Sequence, residues 1–196
     1  MFYGGAVTLS LLFASKLSDT YNIAGLNIGL LLLRIAVGAT MIAHGYNHIW
    51  GGGKIAGTAG WFESLGLKPG KVHAWMASIV ELGGGAMLIL GLGTSLAAAG
   101  VVGVMMVAIL TVHRFNGFFI FRPGEGWEYT GNLVMAGLAL GAMGGGRWSL
   151  DRVIGLHLAG WLGLAIAAIG GIGGAVLLLV VFWRPAPRPE PETADS

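Results

Sequence analysis

The chain contains no cysteine, so it can hold no disulfide, no cysteine-ligated cluster and no thiol relay, and cysteine usage says nothing about its compartment. Charge is scarce too. Only 10% of its 196 residues are Asp, Glu, Lys or Arg, against roughly a quarter in soluble domains. The net charge is +2 with a pI near 9.2, and the basic residues are scattered, which excludes the clustered cationic face that nucleic acid requires. The period-two alternation of membrane strands is also missing. What abounds is apolar surface and glycine: 55% of residues are hydrophobic, 36 are glycine, and the mean hydropathy is +0.77. Such a chain is an all-α integral membrane protein whose first partner is the lipid bilayer. Lipid leaves the backbone no option but helix, and small residues let helices approach closely.

A membrane helix needs about 20 mainly apolar residues. Runs at 25–49, 72–93, 95–115, 128–146 and 159–183 meet that length. Residues 25–152 are therefore expected to form a four-helix transmembrane bundle, with a fifth C-terminal transmembrane helix inside 153–185. The first two helices are joined by a polar loop, Gly51 to Lys71, that contains Trp61 and Phe62. A tight Gly91-Leu92-Gly93-Thr94 turn follows the second helix, and Thr94 or Ser95 can cap the third. Pro123-Gly124-Glu125-Gly126 breaks the chain before the fourth. Residues 1–24 hold an apolar stretch, Ala6 to Ala14, too short to span and without a basic start; it is expected to be a retained interfacial segment. Residues 186–196 form a Pro-rich tail, disordered or polyproline-like.

Let face X be the side where the first helix starts and face Y the other. Lys54, Lys68, Lys71, Arg114, Arg122, Arg184 and Arg188 belong to Y, and Lys16, Arg147 and Arg152 to X. The excess of Lys and Arg makes Y cytoplasmic.

Two charges interrupt the apolar runs. Arg34 lies about 13 Å below X on the first helix, and Glu81 about 13 Å below Y on the antiparallel second. In a core about 30 Å thick those depths nearly coincide, so the two are expected to pair and to carry the buried electrostatics, with proton transfer as a catalytic role. A buried ion pair that only fixes helix register is the bland alternative.

Polar residues also collect towards Y. His44 and His48 share a face one turn apart, His113 ends the third helix, and Glu128 opens the fourth with Asn132 one turn below. Trp61, Trp75, Trp127, Tyr46 and Tyr129 lie at a similar height. Singly, each has an ordinary explanation: a solvated terminal His, an aromatic belt, a carboxylate at a helix N-terminus. Jointly they could form a cofactor site. A quinone head needs donors or acceptors at both ends, groups that titrate near neutrality and an apolar slot, which His44, His48, His113, Glu128 and Asn132 supply in principle. No redox centre is encoded, so electrons would come from a partner or a bound cofactor. A metal on His44, His48, His113 and Glu128 is the chemical alternative.

The stretch from Leu31 to Asp151 resembles the DoxX family of small four-helix membrane proteins. The resemblance rests on Leu32-Leu33-Arg34 with Gly38 and His44-Gly45, Trp61-Phe62-Glu63 followed by Leu65-Gly66-Leu67, and Glu81-Leu82-Gly83-Gly84 running to Leu90-Gly91-Leu92. It continues with His113, Glu128-Tyr129 and Ser149-Leu150-Asp151. It implies a multi-pass protein of the bacterial inner membrane. In some members it implies quinone reduction by thiosulfate, and in others a complex with a sulfurtransferase and a superoxide dismutase that resists oxidative stress. The broader group has other activities, so fold does not fix function. This chain departs from the pattern at Thr94-Ser95, where relatives often carry Arg, and in its fifth helix and tail, which would dock another subunit. Whether the chain is itself an enzyme, part of a quinone-linked oxidoreductase, stays open beside two rivals: a non-catalytic accessory subunit of a larger membrane complex, and a membrane metal-binding protein. No broken inverted repeat points to a transporter.

Overall fold

The computed structural model describes residues 23–185, so the expected interfacial segment before residue 23 and the tail 186–196 lie outside it. Among the described residues the chain is all helical, with no strand. Its helices are α1 (Ile23–Trp50), α2 (Lys54–Ser64), α3 (Gly70–Leu90), α4 (Thr94–Thr111), α5 (Glu128–Met143), α6 (Leu150–Val153) and α7 (Gly160–Phe182). Four of them, α1, α3, α4 and α7, are long and apolar enough to cross a membrane. The fourth expected span is shorter than its apolar run: α5 has 16 residues and stops at Gly144, whose φ of +67° a side chain rarely adopts. The loop expected between the first two spans is also different, since α2 occupies its first half.

Glycine sets the packing of α1 on antiparallel α3. A Cβ on Gly38 would lie 2.6 Å from the Gly85 carbonyl oxygen, and a Cβ on Gly85 would meet the Gly38 oxygen at the same distance. Gly45 sits against Leu82 in the same way. These contacts bring the two backbones together and hold one register. The core then forms where α4 enters: Ala98, Val101, Val102 and Met105 pack with Val37, Met41, Leu88, Leu133 and Leu140, all buried.

The C-terminal helix belongs to this bundle. Gly171 rests on Val102 and the Ala99 carbonyl, and Gly163 on the Gly141 carbonyl. Its middle, Ile166–Gly173, widens into a π-helix, a form that appears mostly as short bulges and often at functional sites. The outer face is apolar and open, with Trp161 85% and Ile169 73% exposed, as a lipid-facing surface should be. At its far end the Trp183 indole N–H donates to the Leu65 carbonyl at 2.8 Å, and the Arg184 amide to that of Gly66 at 2.7 Å. Arg114 lies 5.6 Å from the Trp183 ring. The loops assigned to face Y therefore meet at one end.

Candidate functional site

Arg34 does not meet Glu81. Its guanidinium, 1% exposed, donates to the carbonyls of Leu88 (2.8 Å), Ile89 (2.8 Å), Trp148 (2.9 Å) and Gly145. The last carbonyls of a helix have no partner within it, and a planar fork of five donors can serve several at once. The expected pairing fails on register. The first three turns of α1 run past the α3–α4 turn, so Arg34 sits at the end of α3, about 10 Å along the axis from Glu81.

Asp151 completes this end. Its carboxylate accepts from the Gly93 amide (2.6 Å), the Thr94 amide (2.9 Å) and the Thr94 hydroxyl (2.7 Å). The cap on α4 is thus a carboxylate from far along the chain, where Thr94 or Ser95 was expected. The Ser95 hydroxyl instead lies within reach of the Gly141 and Leu158 carbonyls.

Glu81 meets His48. Its Oε2 lies 3.0 Å from His48 Nδ1, with the side chains 3% and 16% exposed, and neither atom has a further hydrogen-bond partner among the described residues. Glu81 stands about 16 Å from the start of α3 and about 13 Å from its end, near mid-depth. The pair opens on a cavity of about 500 Å³ between α3, α4 and α7. Its walls are mostly apolar, Met76, Val80, Val104 and Leu178 among them, with Gly100, Gly103, Gly170, Gly171 and Gly174 also on the lining. His73, two turns before Glu81 on α3, lines the same space. It is 4% exposed and T-stacked on Phe182 at 5.1 Å. Neither of its ring nitrogens has a partner among the described residues.

Of the remaining expected site residues, His44 and His113 line the same cavity, whereas Glu128 and Asn132 do not. His44 Nε2 is 3.2 Å from the Tyr129 hydroxyl, tying α1 to α5 at an exposed edge of the cavity. His113 Nδ1 is 2.9 Å from the Glu125 carbonyl, and the Glu128 carboxylate accepts from the Ile120 amide at 3.0 Å. Those two contacts fasten the loop between α4 and α5. Asn132 is exposed on α5 and lines no part of the cavity. Among the described residues no three His, Asp or Glu side chains come near enough to share a metal ion, so the four-ligand set of His44, His48, His113 and Glu128 does not assemble.

His73 escaped the sequence reading, although its signal was present: His73, Ala77 and Glu81 recur every fourth residue and so share one helix face. Asp151 carried no such signal, because its partners are backbone amides 57 and 58 residues away.

No curated protein and no solved structure matches the chain. Residues 29–114 match the DoxX family. That span holds α1 to α4 with Arg34, His48, His73 and Glu81, and it ends before α5 and α7. The chain is a multi-pass integral membrane protein, and over those residues, a little under half of its length, it is similar to the DoxX family.

Proposed function

We propose that the protein binds a quinone in the cavity beside His48 and Glu81, and serves as the quinone-binding subunit of a redox complex of the bacterial inner membrane. The observation that carries this reading is the His48–Glu81 contact at 3.0 Å, buried near mid-depth and open to a 500 Å³ cavity. An ionisable pair in that position is costly and usually marks a ligand or proton site. The donor set suits the group. An imidazole and a carboxylate offer a donor and an acceptor, and the apolar walls suit a ring and its tail.

A bound quinone supplies two-electron, two-proton chemistry at its carbonyls. The chain's own contribution is protonic. His48 Nδ1 is held 3.0 Å from Glu81 Oε2, so one proton can pass between the two while the pair as a whole stays neutral in the bilayer. The apolar walls of α4 and α7 keep bulk water from the pair. The chain has no cysteine for a cluster, so the electrons would come from a partner subunit, in keeping with a role in oxidative-stress defence.

We also take α5 as a fifth crossing. Its 16 residues span about 24 Å, and Gly137 packs on Val102 of the full-length span beside it.

The test of the quinone reading is to purify the protein gently, extract its lipids and identify quinones by mass spectrometry. A stoichiometric quinone in the wild type, lost in Glu81→Gln, is expected. A wild type free of quinone that also fails to bind added quinone would point to the accessory-subunit reading.

A further inference from the structure

We propose that His73 is the second polar contact of the cavity's ligand, so that the site grips a ring with oxygen functions at both ends rather than a single-headed lipid. The inference rests on the quinone reading and specifies its ligand class. Three observations carry it, and none involves the His48–Glu81 contact itself.

First, His73 is buried with both ring nitrogens unpartnered among the described residues. A buried polar group without a partner costs free energy, and nearly all such groups in native proteins are satisfied by protein, water or ligand. Replacement by an apolar ring would cost the fold nothing in hydrogen bonds. Something outside the chain is therefore expected to complete it.

Second, His73 and Glu81 line one cavity from the same helix face. Their Cα atoms are eight residues apart, about 12 Å along the axis, which leaves space between two polar ends for a ring that each can reach. Between them the helix offers the cavity only Met76, Ala77 and Val80. A ligand with one polar end would satisfy one site and leave the other bare.

Third, the wall opposite His73 is built by α7, which lies outside the family match. Phe182 holds the imidazole edge-to-face at 5.1 Å, and the same helix lines the cavity with Gly174, where an added Cβ would meet nothing within 4 Å, and with Ala175 and Leu178. The ring is thus fixed in orientation by packing and not by hydrogen bonds, which leaves both nitrogens for a guest. The added helix would shape the ligand site of this chain.

The test uses the full chain in lipid nanodiscs, a short-tailed benzoquinone as the probe and a fatty alcohol of equal tail length as the single-headed control. Binding is read by calorimetry and by the ring-nitrogen NMR signals of labelled histidines. His73→Phe keeps the stacked ring and removes the nitrogens; it should weaken quinone binding roughly tenfold or more, leave binding of the alcohol unchanged, and hold or raise the melting temperature of the ligand-free protein. His73→Gln should recover part of the affinity. In the wild type the His73 signals should shift on adding quinone. Wild-type affinity in His73→Phe, with loss in Glu81→Gln and an unmoved His73 signal, would overturn the role of His73 and leave the quinone site standing. Equal weakening of alcohol and quinone would overturn the two-ended ligand. A wild type that binds no quinone overturns both readings. If His73→Phe does not fold, His73→Gln and the wild-type shifts decide.

Discussion

The two buried charges that interrupt the apolar helices have opposite surroundings. Around Arg34 four of the five donors are occupied: carbonyls from α3 and the loop before α6 converge on one guanidinium, and Asp151 closes the neighbouring helix start with three contacts. Around Glu81 there is one ion-pair partner among the described residues, His48, and an open cavity that also bares His73. Burial alone does not distinguish them, since both charges are at most 3% exposed. Satisfaction does. A buried charge bonded to several backbone carbonyls is a structural joint, because its groups have little capacity left for a guest. An incompletely bonded one beside empty space is where a ligand can gain the most.

The sharpest way to break this comparison is at Arg34. Arg34→Leu should lower stability by about 4 kcal/mol, since it strips partners from several buried carbonyls at once, as read by unfolding in detergent. Arg34→Lys should recover little of the loss, because a compact ammonium cannot span two segments as the fork does. Asp151→Ala should cost about 2 kcal/mol through the lost helix cap and the orphaned Thr94 hydroxyl. A stable Arg34→Leu protein would undo the assignment of that end to architecture.

Packing offers a smaller effect with a built-in control. Gly85→Ala places a methyl 2.6 Å from the Gly38 oxygen and should cost about 1.5 kcal/mol. Gly83→Ala, with nothing within 4 Å, should change stability by less than about 0.5 kcal/mol.

At the cavity the expected stability effect is smallest and the binding effect largest. Glu81→Gln removes a buried charge without changing shape, so folding should shift by about 1 kcal/mol or less, while quinone retention falls. A double-mutant cycle sharpens the point. Glu81 and His48 should show coupling of about 1 kcal/mol, whereas Glu81 and Arg34 should be additive within about 0.5 kcal/mol. Coupling between Glu81 and Arg34 would restore the ion pair that the register excludes. Asn132→Ala should change neither stability nor binding.

Much of the fold was legible because lipid makes it so. Apolar runs bounded by Gly and Pro give the positions of α1, α3, α4 and α7 to within a few residues, and Gly144 explains why α5 ends early. The register between helices was not legible. Equal depth for Arg34 and Glu81 assumed that the start of the first helix and the end of the antiparallel second lie in one plane, but close contact at Gly38, Gly45 and Gly85 sets α1 so that its first turns run past the end of α3. That register carries Arg34 to the end of α3 and brings His48 down to Glu81. Of the polar residues near face Y, His44, His48 and His113 line the cavity and Glu128 does not, a division that height alone did not reveal. Glu128 and His113 bond to backbone within their own loop, a local use that spacing does not reveal.

Composition and periodicity by themselves determined a helical membrane protein with two conspicuous buried charges, because the bilayer penalises every other arrangement of so apolar a chain. Which charge became a joint and which became a site was decided by glycine-to-glycine contact in the third dimension. A helix has no preferred partner depth of its own, and only where two backbones can touch does its register, and with it every polar side chain, come to rest.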